Sequence, residues 1–337
     1  MTDLLKKLTL ADAPSGFEDE VRELIRKEAE PYADEITEDA MGNLIVSRRA
    51  DSASKKKPIT LAAHIDEVGV ILTEHTGGGF YKFDFAGGVD VRVALGKRVR
   101  LLTSAGKKDG IISPGKAWHL MGSAERKRVP KVAELFIDAF GNESAKPGDY
   151  AAFNSDYSEF GNGFVKAKAL DDRSGCAVLL TLLKEKTDRD AYYVFTVQEE
   201  VGCRGAQTAA NRLDCDTVIV VESTTAADYP SREGGEKVCV LGNGAVLPFM
   251  DGGTIYDRKL WTELTAIADR QGIKWQTKTR IAGGTDARSF QRGGHGAKVA
   301  AISLPTRNIH SPSCVGKLSD LDCVLNLCRA AVESIGV

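Results

Sequence analysis

The sequence predicts an α/β protein, a mixed sheet with helices on both faces and a small β-barrel-like domain inserted into it. Three observations carry this reading. From residue 165 onward, strand-like and helix-like segments alternate, which requires helices covering a sheet. Between about 67 and 164, short strands and turns replace helical periodicity. Apolar runs end repeatedly in carboxylates or histidines, at the strand ends where open α/β sheets bind ligands.

The elements follow in order. "SGFE" reads as a capping box in which Ser15 accepts from a backbone N–H and Glu18 reaches back, and Val21, Leu24, Ile25 and Ala29 then form one helical face. "NLIVSRR" is strand-like, "ADSASKKK" is a polar loop, and "PITLAAHID" is an apolar run ending in His64 and Asp66. In the insert, "HTGGGF" reads as a hairpin loop, because a phosphate cradle needs a following helix and lysine. Beyond it come strand "FVKAKAL", a helix from Arg173 to about Glu185, strand 191–197, a short helix, strand "DTVIVVE", helix 255–271, strand "KVAAISLP" and a helix over about 320–335. These place a catalytic domain at 1–66 and 165–337, with the inserted β-domain at 67–164.

Composition bounds the function. The chain has 337 residues, 42% hydrophobic and 27% charged, enough for two domains and a substantial core. A net charge of −2 leaves no electrostatic footprint for nucleic acid or an anionic membrane. The N-terminal stretch lacks the apolar core of a signal peptide and no long apolar run occurs, so the expected location is cytoplasmic. Seven cysteines, at 176, 203, 215, 239, 314, 323 and 328, form no C-x-x-C pair and are expected to be reduced. Cys314 follows a histidine closely, but a small buried apolar residue is the simpler reading. His75, His119 and His295 lie outside the strand-end set and take no role.

The strand ends deliver a coherent set of groups. His64 and Asp66, Asp171 and Asp172, Glu199 and Glu200, Glu222 and His310 each close a separate segment, and none is a nucleophilic serine or cysteine with a partnering base. Taken singly, His64 reads as a structural histidine, Asp171 and Asp172 as a helix cap with its first-turn charge, and Glu222 as a surface carboxylate. Together they ask for divalent metal. Two imidazoles and several carboxylates without thiolates suit zinc, cobalt or manganese, and a shared carboxylate can hold two ions ~3.5–4 Å apart. Strand alternation puts Asp66 on the face of His64, where it can accept from the outer imidazole nitrogen and fix the metal-binding tautomer. If Glu199 and Glu200 stayed in strand geometry beyond residue 197, the same alternation would send their side chains to opposite faces.

"AAHIDEVG", "ALDDRSG", "TVQEEVGCRGA", "VVES", "AGGTDA" and "PTRNIHSP", in this order and spanning nearly the whole chain, resemble the glutamyl and tetrahedral aminopeptidases, a family of dinuclear metallopeptidases with a zinc-exopeptidase-like fold. The resemblance implies two divalent ions per subunit. His64, Asp171 and Glu222 would bind one, and Asp171, Glu200 and His310 the other, with Glu199 as general base and Asp66 supporting the site. Relatives often carry aspartate where Glu222 stands. The resemblance further implies a cis peptide between Asp171 and Asp172, assembly through the insert from dimers into a dodecamer, and peptides as substrates. Gly284, Thr285 and Asp286 either lie near the substrate or shape the turn before a helix starting near Thr285.

The function so implied is a metal-dependent aminopeptidase that releases N-terminal residues from short peptides. An amide deacylase or carboxypeptidase on the same scaffold is the alternative, since fold does not dictate substrate. A glycosidase using Glu199 and Glu200 is weaker, because a carboxyl pair across a sugar needs no histidines and no bridging aspartate. A catalytically silent assembly protein is disfavoured by the retention of every ligand type.

Overall fold

A computed structural model describes residues 1–214, 216–230 and 236–336, so Cys215 lies outside the described residues. Helices α1 (Thr2–Leu10) and α2 (Asp19–Ala29) lead into β1 (Glu35–Glu38), β2 (Leu44–Arg48) and β3 (Ile59–His64). The next elements are β4 (Gly69–Gly77), β5 (Phe80–Ala86), α3 (Val91–Ala94), β6 (Arg98–Thr103), β7 (Gly106–Pro114), α4 (Ser123–Lys127), β8 (Leu135–Asp138) and β9 (Tyr150–Phe153). Then come β10 (Ser158–Phe160), β11 (Phe164–Ala167), α5 (Leu170–Leu183), β12 (Ala191–Thr196), α6 (Arg204–Ala210) and β13 (Thr217–Thr225). The chain closes with β14 (Ala245–Val246), α7 (Arg258–Gln271), β15 (Trp275–Gln276), α8 (Ala287–Arg292), β16 (Lys298–Thr306), β17 (Cys314–Lys317) and α9 (Leu318–Ser334).

The large sheet has the order β1-β2-β12-β3-β13-β16-β14-β15. Its four central strands, β12, β3, β13 and β16, run parallel, while β2 and β14 join them antiparallel, so the sheet is mixed. The central strands are nearly continuous apolar runs because both faces are covered. Alternate side chains sort between two cores. Leu61, Phe195, Ile219, Val221 and Ile302 enter one with α1, α2, α5 and α9; Ala62, Val194, Val218, Val220 and Ala301 enter the other with α6 and α8. Each fully buried leucine or isoleucine here contributes roughly 1.5–3 kcal/mol of transfer free energy.

The insert contains a closed barrel, β4-β5-β8-β7-β6-β9, filled by Val70, Leu72, Tyr81, Phe83, Val99, Leu101, Ile112 and Ile137. Closure pairs every barrel strand on both sides. "HTGGGF" forms the β4–β5 hairpin, with Gly77, Gly78 and Gly79 all at positive φ. A buried charge cluster joins the barrel to the sheet domain. Asp12 accepts from Lys168 Nζ at 2.8 Å and pairs with Lys107 and Arg100 of the barrel, while Lys168 also donates to Glu67 at 2.7 Å.

Two sequence expectations change. The Ser15–Glu18 capping box does not form: Ser15 Oγ donates to the buried Asp66 carboxylate, Glu18 accepts from Gly16 N, and α2 starts without a side-chain cap. A buried carboxylate from another segment outcompetes the local motif, although the face of Val21, Ile25 and Ala29 packs into the core as expected. "FVKAKAL" forms β11, but in a separate three-stranded sheet with β10 and β17. Its alternation specified a strand without specifying a partner. Among the described residues, no helix is long and apolar enough to cross a membrane.

Candidate metal centre

The parallel strands converge their carboxyl ends on one cavity of about 350 Å³. His64 is the last residue of β3 and Glu222 lies within β13, both buried. Asp171 precedes the regular part of α5, where Asp171 and Asp172 have non-helical backbone angles and are joined by a cis peptide. The two aspartates divide their work. Asp172 Oδ1 accepts the N–H of Gly175 at 3.0 Å and so caps the helix, while Asp171 turns into the cavity.

Asp171 stands between two imidazoles. Its Oδ1 is 3.3 Å from His64 Nε2, and its Oδ2 is 3.5 Å from His310 Nε2. Glu222 Oε1 lies 3.4 Å from His64 Nε2, and Glu200 Oε2 lies 3.1 Å from His310 Nε2. Each imidazole is oriented from behind. His64 Nδ1 donates to the Asp66 carbonyl at 3.1 Å, with Asp66 Oδ1 at 3.4 Å, and His310 Nδ1 donates to the Gly88 carbonyl at 2.8 Å. Both Nε2 atoms are thereby turned towards the carboxylates, with their lone pairs available to a cation between them.

Glu199 and Glu200 do not stay in strand geometry, so the condition under which alternation would separate them is not met. Strand β12 stops at Thr196, Gln198 takes φ 55°, and the glutamates occupy a turn. Asp66 holds that turn: Oδ1 accepts the N–H of Glu199 at 2.9 Å and Oδ2 that of Glu200 at 3.2 Å. Glu200 goes to the imidazole cluster, whereas Glu199 accepts from Cys203 Sγ at 3.1 Å in a second group with Asp286. Gly284 and Thr285 line the cavity, and Asp286 is buried beside Glu199, accepting from Thr196 Oγ1.

The electrostatics call for positive charge. Burial pushes the carboxyls of Glu200 and Glu222 well above the usual range, and neighbouring carboxylates, Asp171 among them, add to it. Burial likewise lifts Glu199 to about 7. Burial alone would lower His310, but Asp171 and Glu200 hold it up to about 9. Asp172 approaches His64 and Glu222, and its Oδ2 is buried without a hydrogen-bond partner among the described residues. Oxygen and imidazole donors crowded beyond what protons can neutralise fit a site for divalent ions.

Several wall residues carried no periodic signal in the sequence. Gly88 lines the cavity from the barrel end, and Gly87 before it takes φ 97°, where a Cβ would meet Val68 at 2.8 Å and Glu200 Cβ at 3.4 Å. Tyr256 donates to Asp251 at 2.6 Å, Lys278 donates to the Ala282 carbonyl at 3.0 Å, and Arg288 lines the cavity from α8. Cys314 keeps its bland role: its thiol is buried against the carbonyls of Asn308 and Ser311 under the His310 loop. His75 stacks on Tyr81 in the barrel, and the six described cysteines are all free.

A large mixed sheet flanked by helices, with a closed six-stranded barrel beside it, is the architecture of an aminopeptidase fold. The model of the M42 glutamyl aminopeptidase family matches residues 42–327, and the chain belongs to this family. It is 37% identical to a putative aminopeptidase of Acetivibrio thermocellus, over 99% of this chain and 98% of that protein. It is similar to the TET aminopeptidase of the marine sediment archaeon Thaumarchaeota archaeon SCGC AB-539-E09, with TM-score 0.94, 32% identity and coverage of 99% and 96%. The TET1 peptidase of Pyrococcus horikoshii, which can assemble into a tetrahedron or a large octahedral shell, has TM-score 0.86, 30% identity and 99% coverage of each chain.

Proposed function

We propose that the chain is a metal-dependent aminopeptidase that releases N-terminal residues from short peptides. The single observation that carries the reading is Asp171, whose two carboxylate oxygens face the Nε2 atoms of two differently anchored histidines. His64, Asp171 and Glu222 would hold one divalent ion, and Asp171, Glu200 and His310 the second. Zinc is the first choice, with cobalt or manganese also compatible with the donor set. Bound ions of this kind supply Lewis acidity, acidifying a water and polarising the peptide carbonyl.

The remaining steps belong to the protein. Glu199, outside the ligand group but lining the same cavity, takes the proton of the attacking water and returns it to the leaving amine. Asp66 keeps Glu199 and Glu200 pointing to their separate tasks through their backbone N–H groups. A cavity of about 350 Å³ walled by carboxylates suits a short chain end with a cationic amine. Asp286 buttresses Glu199 from behind, and Gly284 and Thr285 border the substrate.

The assembly reading rests on the insert and on the relatives. The barrel region exposes Phe80, Trp118, Leu120, Val129 and Phe140, more apolar surface than scattered single residues require. It would form dimers that build a homo-oligomer, a dodecamer by analogy with the TET chains. The free thiols of the described cysteines agree with a cytoplasmic location.

Metal analysis of the purified protein, combined with a panel of aminoacyl chromogenic substrates with and without chelator, tests the proposal. Chelator-sensitive release of single N-terminal residues supports it. Cleavage confined to acyl or C-terminal bonds would transfer it to the deacylase or carboxypeptidase alternative.

A further inference from the structure

Arg288 is a half-buried guanidinium on the wall of the catalytic cavity, and its side chain makes no hydrogen bond and no ion pair among the described residues. Room has been left for it. A Cβ on Gly253 would come within 3.0 Å of Arg288 Cδ and 3.3 Å of its Cβ, and one on Gly202 would lie 3.7 Å from an Arg288 terminal nitrogen. The head group therefore sits against the turn that carries Glu199, whose carbonyl accepts the N–H groups of Gly202 and Cys203. Lys278, the other cation of the wall, differs on both counts. It is buried and tied to the Ala282 carbonyl, and burial draws its ammonium pKa down against the opposing pull of Asp251 and the cavity carboxylates.

Position on the Glu199 side gives Arg288 a direction in the reaction. The group that takes the water proton hands it to the leaving amine, so the departing residue passes beside Glu199. A carboxylate on that residue would enter a cavity already crowded with Glu199, Glu200, Glu222 and Asp171, where it needs a dedicated counter-charge. A guanidinium with an unengaged fork supplies one, because its paired N–H groups match a carboxylate bidentately.

We propose that Arg288 forms a carboxylate subsite on the leaving-group side of the cavity. The enzyme then favours substrates whose second residue carries a carboxylate, either the free C-terminus of a dipeptide or an acidic side chain in a longer peptide. This rests on the aminopeptidase reading above and adds the class of leaving residue to it.

The test compares kcat/KM of the metal-loaded enzyme on two substrate pairs, Ala-Ala against Ala-Ala-amide and Ala-Glu-amide against Ala-Gln-amide. A charge-assisted hydrogen-bonded pair is worth about 1.5–3 kcal/mol, so the carboxylate member of at least one pair is expected to be ~10–100-fold better. Preference in the first pair identifies the C-terminus as the ligand; preference in the second identifies the side chain. Arg288→Gln should bring the ratio close to one, and Arg288→Lys should restore part of it as a point charge without the fork. Equal efficiency within both pairs for the wild-type enzyme overturns the inference alone, as does a ratio that survives in Arg288→Gln. A wild-type enzyme that cleaves none of the four overturns the aminopeptidase reading and this subsite with it.

Discussion

The carboxylate of Asp66 accepts the backbone N–H of Glu199 at 2.9 Å, so the orientation of the proposed base is set by a residue two positions beyond a proposed metal ligand. The same carboxylate accepts from Glu200 N and Ser15 Oγ and lies beside His64 Nδ1. One side chain thus couples the histidine, the base and the second ligand glutamate. Asp66→Asn should keep the shape but replace one acceptor oxygen by a donor facing N–H groups. We expect kcat to fall ~10–100-fold together with metal affinity, the range seen when such supporting partners are removed. Metal titration alongside steady-state kinetics checks this, and unchanged values for both would remove Asp66 from the machinery.

The adjacent glutamates should separate cleanly by mutation. Glu199→Gln retains the ligand group and is expected to keep its metal while losing at least ~10²-fold in turnover, since general-base catalysis contributes roughly 10²–10⁴. Glu200→Ala removes an oxygen 3.1 Å from His310 Nε2 and should lose metal. Elemental analysis of both variants decides the matter. A fully loaded Glu200→Ala protein, or an active Glu199→Gln enzyme, would reverse the assignment.

The Asp12 cluster between barrel and sheet predicts a defined pH response. Burial alone would raise the Asp12 carboxyl, but the Lys168 charge and the bonds from Arg100, Lys107 and Lys168 hold it well below its ordinary value. A folded value below the unfolded ~3.9 means stabilisation that is present above that pH and lost as pH falls towards and through the folded value. Asp12→Asn should cost up to about 3–5 kcal/mol of stability at neutral pH as a broken buried pair, lowering Tm there, and should flatten the acid limb of the Tm profile. Thermal scans from pH 7 down to about pH 1.5 at one scan rate would show it, and parallel acid limbs in the two proteins would contradict it.

The exposed apolar side chains of the barrel region should be an interface. Trp118 and Leu120 are 55% and 74% exposed, large apolar side chains two residues apart that a partner surface would cover. Leu120→Asp is expected to shift the assembly to smaller species in light scattering while leaving the circular dichroism of the fold in place. A wild-type protein that is already monomeric at micromolar concentration would end this account of the insert.

Which parts of this molecule could be read from sequence depends on where the information was stored. His64, Glu222 and the 199–200 pair were visible because each interrupts or follows an apolar strand, a place where a buried charge is costly without a partner. The two-core sorting of β3, β12, β13 and β16 was written in the same runs. By contrast, the Ser15–Glu18 motif misled because Asp66, 51 residues away from Ser15, claims its hydroxyl. The 199–200 turn, just past the strand expected at 191–197, could not be specified because a positive φ at Gln198 has no signature in a non-glycine residue. Gly88, Lys278 and Arg288 were invisible because loops and a short helix bring them to the cavity, and loops carry no period.

A requirement for a free α-amine follows from the charge of the cavity. Glu199, Glu200, Glu222 and Asp171 all line it, and histidines that bind metal do so as neutral imidazoles and add no positive charge of their own. A substrate amine brings either a positive charge or a basic nitrogen to this wall, and acetylation removes both. Acetylation also takes N–H donors away from the carboxylate acceptors that line the cavity. Discrimination from unpaired polar groups of this kind can reach ~10⁴, so kcat/KM for an N-acetylated peptide should fall by at least ~10²-fold against the free peptide. Products followed by mass over time should appear as successive losses of one residue from the N-terminus. Comparable cleavage of the blocked peptide, or internal fragments preceding single-residue loss, would show that the amine is not recognised and would favour a deacylase or an endopeptidase on the same metal-binding scaffold.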